Sequence, residues 1–336
     1  MKNLLYIGNK LSHNNKTITT IETLGKGLEE LNYHVIYASS KAHIMCRFFD
    51  MIWTLFKYRN VSDYVLIDTY STLNFYYALV ISQLCRIFNL KYIPILHGGN
   101  LPDRLKSNPK LCKAIFKNAY KNVAPSNYTK TAFETYGFTN TVCIPNTINI
   151  KNYPVVIKSY ETIDMLWVRS FSELYNPKLA ISILKLLLDS GHKASLTMIG
   201  PDNDGSLLSS KQYAEALNVE VNFTGKLSKS EWITRSKSCN YFINTTNFDN
   251  MPVSIIEAMA LGFPIISTNV GGIPFLIEHD REAVLVEPNK AELFVNAIID
   301  LHTNTDKRNT LLINAIKKAE SLDWKLSSKL WKNILN

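Results

Sequence analysis

Asp249 and Glu257 stand eight positions apart within Phe248–Gly272, the stretch FDNMPVSIIEAMALGFPIISTNVGG. The residues after the first acid read as a short loop, Asp249-Asn250-Met251-Pro252, that leads into a helix. Pro252 suits the first helical position, where a fixed φ and a missing N–H cost nothing. Ile255, Ile256, Met259 and Ala260 recur at i, i+3 and i+4 spacing and give that helix an apolar side. Glu257 sits on the same helix, roughly 7–8 Å along the axis from Pro252. A carboxylate on an otherwise buried helix has to pair, accept hydrogen bonds or meet a ligand. The helix start supplies main-chain N–H groups and a positive dipole end, which suit a phosphate. One carboxylate at the loop, one on the helix flank and amides between them fit a ligand with hydroxyls at both ends and phosphates in the middle. A nucleotide sugar has that layout.

Taken alone, the pair also reads as an Asp cap and a solvent-facing Glu. The rest of the string shifts the balance toward a ligand. Gly262 ends the helix, and Pro264-Ile265-Ile266-Ser267-Thr268 reads as a short buried strand. The whole resembles the acid-x7-Glu signature of the family 4 retaining glycosyltransferases (glycosyl transferases group 1), bacterial surface-polysaccharide type. The matching residues are Asp249, Asn250, Pro252, Glu257-Ala258-Met259-Ala260, Gly262, Pro264 and Gly271-Gly272. The resemblance covers almost the entire chain and is strongest from Arg169 to Pro288.

The resemblance implies an α/β fold of the GT-B type, with two Rossmann-like domains facing across a cleft and a C-terminal helix returning to the first domain. It implies that Glu257 accepts hydrogen bonds from both ribose hydroxyls. Asp249 holds hydroxyls of the donor sugar, aided by the main-chain N–H groups of Asn250, Met251 and Val253, with Pro252 and Ser254 in the same donor-binding segment. The family usually has Glu at the first position, so Asp249 reaches one methylene less far. Arg169 corresponds to the first of an Arg/Lys pair on the donor diphosphate, where a guanidinium forks two oxygens. The lysine belongs five or six positions later, where this chain has Leu174 and Tyr175; Lys178 and Lys226 are the replacements considered. By the same resemblance His97 reaches the donor sugar or the acceptor, and Ser126 helps to frame the acceptor side. Where many relatives carry two glycines this chain has Lys16-Thr17-Ile18-Thr19-Thr20, and Thr17 offers a hydroxyl to a sugar or acceptor. The leaving diphosphate is stabilised by cations and helix N-termini, so neither a metal nor a cofactor is implied. Retention is expected by front-face attack, with the leaving phosphate taking the acceptor's proton and no protein nucleophile.

The elements that must position these residues alternate strand and helix. Leu4–Gly8, a loop from Asn9 to Thr20, a helix near Ile21–Leu31 and Val35–Ala38 form a βαβ opening, whose natural outcome is a parallel sheet. No G-x-G-x-x-G occurs in its first turn, which argues against a dinucleotide-binding oxidoreductase or epimerase. Strands follow at Tyr64–Asp68, Tyr92–Leu96, Val123–Ser126 and Val142–Thr147, with helices at Asn74–Phe88 and Asn127–Tyr136. His97-Gly98-Gly99 closes the Tyr92–Leu96 strand at a carboxyl edge, where ligands of open α/β sheets bind. A second series runs Met165–Arg169, a helix from Asn176-Pro177 to Ser190, Leu196–Gly200, Val221–Lys226 and Tyr241–Asn244, then the loop to Asp249. The expected domains are 1–150 on the acceptor side, a linker at 151–162, a nucleotide-sugar-binding domain at 163–320 and a returning helix at 321–336.

A chain of 336 residues suits two domains, and 46% hydrophobic content serves two cores. No apolar run approaches the 18 residues of a membrane span. Five scattered cysteines without CxxC pairing suggest reduced thiols in a cytoplasmic protein and no zinc site. The net charge of +9 calls for an anionic partner: a donor, a membrane surface or nucleic acid. Dispersed basic residues and the absence of a nucleic-acid motif place the last of these lowest. Lys41–Asn60 (KAHIMCRFFDMIWTLFKYRN) mixes aromatic and basic residues with almost no acid. It reads as a core helix with a basic edge or as a surface helix resting on anionic lipid. The expectation is a cytoplasmic enzyme, peripheral on the inner membrane face, that moves a sugar from a UDP- or GDP-sugar to a glycan or lipid-linked saccharide. The alternative is a catalytically weak nucleotide-sugar-binding partner subunit.

Overall fold

The computed structural model describes residues 1–11 and 19–336. Thr17 lies outside the described residues. The chain divides into two compact units, one made of Met1–Asn146 with Trp324–Asn336 and the other of Thr147–Asp323.

The first unit holds strands β1 (Asn3–Ile7), β2 (His34–Ala38), β3 (Tyr64–Thr69), β4 (Tyr92–Leu96), β5 (Asn122–Ala124) and β6 (Thr141–Cys143), in the order β2-β1-β3-β4-β5-β6. Every pairing is parallel. Helices cover both faces, so β3 and β4 are buried along their whole length, as their unbroken apolar runs require. The chain reverses its direction of travel across the sheet between β1 and β3. That switch point is where an open α/β sheet leaves room for a ligand beyond its carboxyl ends.

Helix Trp324–Leu335 completes this unit. Trp331 and Leu335 are buried among Leu4, Tyr6, Ile21 and Leu28, and Lys2 Nζ donates to the Leu335 carbonyl at 2.8 Å. The aromatic–basic stretch forms helix Ile44–Tyr58, whose Met51 and Leu55 are buried against the sheet. Its Arg47 is buried too and donates to the carbonyls of Lys41 and Ala42 at 2.9 and 3.0 Å. The opposite side of the same helix is exposed, with Phe49 at 60% and Trp53 at 70% of full accessibility. The reading of a core helix therefore holds for one face, and the other face is exposed.

The second unit holds β7 (Ile163–Val168), β8 (Ala194–Ile199), β9 (Asn222–Gly225), β10 (Tyr241–Asn244), β11 (Ile265–Thr268) and β12 (Val284–Val286), in the order β12-β11-β10-β7-β8-β9. All its pairings are parallel, the doubly wound Rossmann order, with the switch point between β7 and β10. Residues 151–162, expected as a linker, are seated on this unit: Tyr153 is buried with Trp232, Ile256 and Met259. Lys158 Nζ lies 3.6 Å from the centre of the Phe263 ring and donates to the Cys239 carbonyl at 3.1 Å.

Helices Leu101–Ser107, Pro109–Phe116, Ser206–Ala216 and Lys229–Ser236 have no counterpart in the sequence reading. Ser206–Ala216 has weak apolar periodicity, and the first two begin at or beside prolines that also read as loop punctuation.

Candidate active site

The switch point of the second unit lies between the ends of β7 and β10, and the two strands deliver Arg169 and the loop to Asp249 there. Arg169 is the first residue beyond β7, held by its N–H on the Ile199 carbonyl at 3.0 Å. The loop beyond β10 is tied down by side chains. Trp167 Nε1 donates to Thr245 Oγ1 at 2.9 Å, and Thr245 Oγ1 in turn donates to the carbonyls of Tyr175 and Asn176. Thr246 Oγ1 donates to the Phe248 carbonyl at 2.8 Å, and Thr268 Oγ1 to the Thr246 carbonyl at 2.7 Å. The short turn Glu173–Tyr175 is thereby fastened beside the loop, with the Tyr175 ring 4.6 Å from the Arg169 guanidinium.

The Arg169 guanidinium pairs with Asp249 Oδ2, and both side chains are 15% exposed. Asp249 Oδ1 accepts from the Asn250 N–H at 2.8 Å. Burial pulls the Arg169 pKa down from its ordinary value, opposed by Tyr175 and then by Glu257. A buried guanidinium stays charged, so this direction describes a cation that an added anion stabilises. Arg169 Nε has no hydrogen-bond partner, nor has the buried Ser254 Oγ in the first turn of the following helix. Such orphaned polar atoms in a native fold call for a ligand or water.

The helix Val253–Ala260 follows Pro252, which stands at its N-cap, one position before the expected one. Its first N–H groups have no acceptor within the helix. Glu257 is 4% exposed; its Oε1 accepts from Tyr153 Oη at 2.7 Å and pairs with Lys229 Nζ. Burial, then Glu257, pushes the Tyr153 phenol far above its ordinary pKa, so it remains a donor. Gly271 and Gly272 fix the other side of the loop. Gly272 N–H donates to the Asp249 carbonyl at 2.8 Å, and a Cβ at Gly272 would lie 2.0 Å from the Asn250 carbonyl oxygen. Gly271 has φ +55°, and its Cβ would stand 2.2 Å from the Asp249 carbonyl oxygen.

Asp249, Asn250, Met251, Pro252, Val253, Ser254, Glu257 and Arg169 thus converge on one sheet edge. Lys178 and Lys226 stand on other elements of the same unit. Lys178 Nζ lies 5.8 Å from the centre of the Tyr213 ring, and Lys226 follows β9, the edge strand two places from β7. Lys229, which pairs with Glu257, is a cation that sequence reasoning missed. Its helix carries a capping box, with Glu231 N–H on Ser228 Oγ and Ser228 N–H on Glu231 Oε2, legible as Ser-x-x-Glu. Tyr175 was noted only as the absence of a lysine, and Tyr153 not at all.

In the first unit the switch point carries a buried acid. Asp68 is fully buried at the end of β3; its Oδ1 accepts from Tyr6 Oη at 2.9 Å and lies 2.9 Å from His97 Nε2. Tyr77 Oη donates to the Asp68 carbonyl at 2.6 Å, and Asp68 Oδ2 has no partner. Burial first, then Asp68, raises the pKa of Tyr6, Tyr70 and Tyr77, so these phenols are neutral around the acid. A carboxylate only accepts, so Nε2 of His97 carries its proton and Nδ1 is the ring's other functional atom. Ser126 caps helix Asn127–Thr135, accepting from Thr129 N–H at 3.2 Å, and is buried. Among the described residues, no cluster of three or more His, Cys, Asp or Glu is arranged to hold a metal, and no helix is long and apolar enough to cross a membrane.

The fold has near neighbours among solved structures. Sucrose-phosphate synthase from Thermosynechococcus elongatus superposes with a TM-score of 0.82 at 15% identity, covering 99% of this chain and 98% of that one. Anabaena HepE, solved in complex with UDP-glucose, gives 0.77 at 16% identity and 99% coverage of both. The two sheets and their helices are thus of the GT-B type. By sequence, the Escherichia coli UDP-Gal:alpha-D-GlcNAc-diphosphoundecaprenol alpha-1,3-galactosyltransferase is 26% identical over 100 residues, 29% of this chain and 25% of that one. The chain spans between 11 and 40% of the length of the curated relatives it matches. The Glycosyl transferases group 1 family matches residues 151–318, half of the chain and the whole of the edge where Arg169, Asp249 and Glu257 meet. With that match and this geometry in hand, the chain belongs to the glycosyl transferases group 1 family.

Proposed function

We propose that this glycosyltransferase is a retaining, metal-independent enzyme that moves a hexose from a UDP- or GDP-sugar to a glycan or lipid-linked saccharide. The observation that carries the reading is the Arg169–Asp249 pair, joined to a buried Glu257 by one helix start at a sheet switch point. Arg169 and the first N–H groups of Val253–Ala260 offer positive charge to a leaving diphosphate, the role that a metal would otherwise fill. Glu257 offers acceptor oxygens to a ribose, and Asp249 has lone pairs left for sugar hydroxyls. UDP is favoured over GDP because a neighbour of the same fold was solved with UDP-glucose and a relative is named for UDP-Gal. The lipid-linked saccharide is favoured as acceptor because that relative's name specifies a diphosphoundecaprenol sugar. Surface-polysaccharide synthesis at the cytoplasmic face follows from those choices as part of the proposal. In the first unit we assign His97 to the acceptor side, positioned by Asp68, and keep Ser126 as the cap that shapes the neighbouring loop.

A panel of UDP- and GDP-sugars in a thermal-shift assay tests the donor. A ligand at one hundred times its Kd adds about 2.7 kcal/mol of apparent stability. Only UDP-sugars are expected to raise the melting temperature, and a panel with no effect removes the donor assignment. One observation favours a second reading, a nucleotide-sugar-binding subunit of weak activity: Tyr175 stacks on Arg169 where the family has a second cation. Multiple turnovers by purified protein eliminate it.

A further inference from the structure

The exposed side of helix Ile44–Tyr58 is not explained by the donor site or by the core. Met45, Phe49, Trp53 and Phe56 recur at four, four and three positions and form one stripe, exposed by 52, 60, 70 and 38%. Phe56 meets Phe88 edge to face at 5.0 Å, which carries the patch onto the end of helix Asn74–Ile87, where Ile87 is 70% exposed. Soluble surfaces scatter single apolar residues; a continuous row with a tryptophan at its centre marks a contact surface.

The rim of this row is cationic. Lys57 and Arg59 are exposed at the end of the helix, with Lys41 before it and Arg86 on the neighbouring one. The Arg59 guanidinium stands 6.0 Å from the Phe56 ring centre and 5.7 Å from that of Phe88, so charge and aromatic face lie at the same level. The helix's one acid, Asp50, is turned inward and accepts from Ser39 Oγ. An amphipathic helix with Trp and Phe on one side and Lys and Arg flanking them lies in the plane of a lipid interface, its rings at headgroup depth. The 15-residue helix presents about 22 Å of such edge.

We propose that helix Ile44–Tyr58 and the adjoining Arg86-Ile87-Phe88 dock the first unit on an anionic bilayer surface. The occupant is a lipid headgroup layer, chosen for its charge: the rim is positive, no exposed acid of the helix opposes it, and the chain carries a net charge of +9. The proposal deepens the lipid-linked acceptor reading and rests on it for its purpose, but its test does not. Each basic residue near anionic headgroups adds roughly five-fold to binding, and the attraction decays within a Debye length of about 8 Å at physiological salt.

The full chain is co-sedimented with vesicles of phosphatidylcholine alone and of phosphatidylcholine mixed with phosphatidylglycerol, without donor or acceptor. Binding is expected only to the anionic vesicles and to weaken as salt rises. The double variant Lys57→Gln/Arg59→Gln should lose on the order of 25-fold in partitioning. Phe49→Ser/Trp53→Ser should abolish it while leaving the melting temperature and the UDP shift unchanged, because these side chains are exposed. Equal binding to both vesicle types, or variants that partition like the parent, overturns the proposal. So does absence of vesicle binding with a rise in molecular mass that Trp53→Ser removes, which assigns the face to a second copy. Vesicle binding with no UDP shift retains this surface and sinks the donor site instead.

Discussion

Tyr153 donates a 2.7 Å hydrogen bond to Oε1 of Glu257, so a residue of the segment that precedes the second sheet orients an acid 104 positions later. Lys229 grips the same oxygen from the start of another helix. Glu257 is therefore fixed before any ribose reaches it, which is preorganisation of a binding group. Removing it should weaken donor affinity: hydrogen bonds to charged groups contribute about 1.5–3 kcal/mol. Glu257→Ala is expected to raise the Kd of UDP roughly 10- to 100-fold by calorimetry, and Tyr153→Phe by less. A UDP affinity unchanged in Glu257→Ala refutes the ribose assignment.

In the proposed reaction Asp249 and Arg169 serve the reacting end. Asp249→Ala should lower kcat by about 10²–10³, the size of losing one group aimed at developing charge, with the UDP Kd within a few-fold of the parent. Arg169→Lys keeps the charge and loses the fork, and should fall on the same axis. Steady-state kinetics with separate binding measurements distinguishes this from a loss of donor affinity.

Gly272→Ala touches no ligand in this scheme, yet it should be nearly as damaging. Its methyl would need space held by the Asn250 carbonyl oxygen, 2.0 Å away, so the Asp249 loop must move. The expected signature is a kcat loss with a small drop in melting temperature. Full activity would show that the loop's position is not what matters.

Asp68→Asn tests the first unit. An amide offers both a donor and an acceptor where the carboxylate only accepts, so the His97 ring is no longer held with its proton on Nε2. Turnover should fall by about 10², the lower end of the range for a positioned proton-transfer group, while UDP binding, proposed for the other unit, stays intact. A fall in UDP affinity of the same size would make Asp68 a fold residue alone.

Lys158 supplies a pH signature. Burial lowers its pKa from 10.5 to about 8, with Cys239 opposing the shift. Between those values the unfolded chain holds a proton that the folded one has released. Stability therefore rises with pH from about 8 to about 10.5, and the folded state carries the cost of a desolvated charge below that window. Urea midpoints across this range should climb in the parent and climb less in Lys158→Met. Parallel curves would mean that the Phe263 ring and the Cys239 carbonyl already offset the burial.

The acid-x7-Glu string was legible because its parts are local: a loop, a helix start and a strand within 25 residues. The parallel strands were legible for a similar reason, as apolar runs bounded by turns. Partner choice was not. Lys229 reaches Glu257 across 28 positions, and Tyr153 across 104, from a stretch whose polarity marked it as a linker. His97 was singled out by its place after a strand, but the acid behind it lies 29 positions earlier, where Asp68 read as one more strand residue. The exchange of a lysine for Tyr175 was visible, whereas its stacking on Arg169 required the turn at Glu173–Tyr175 to be pinned by Thr245.

The wall that Trp331 and Leu335 contribute beside Leu4 and Tyr6 has a bearing on biosynthesis. The second unit is continuous in sequence and can close while the ribosome is still translating, as domains commonly do. The first unit begins earlier and finishes later, because its sheet keeps an uncovered apolar strip until helix Trp324–Leu335 emerges. For that interval the nascent chain holds a finished C-terminal half beside an unfinished N-terminal one, the opposite of vectorial order, and a chaperone would find its substrate there.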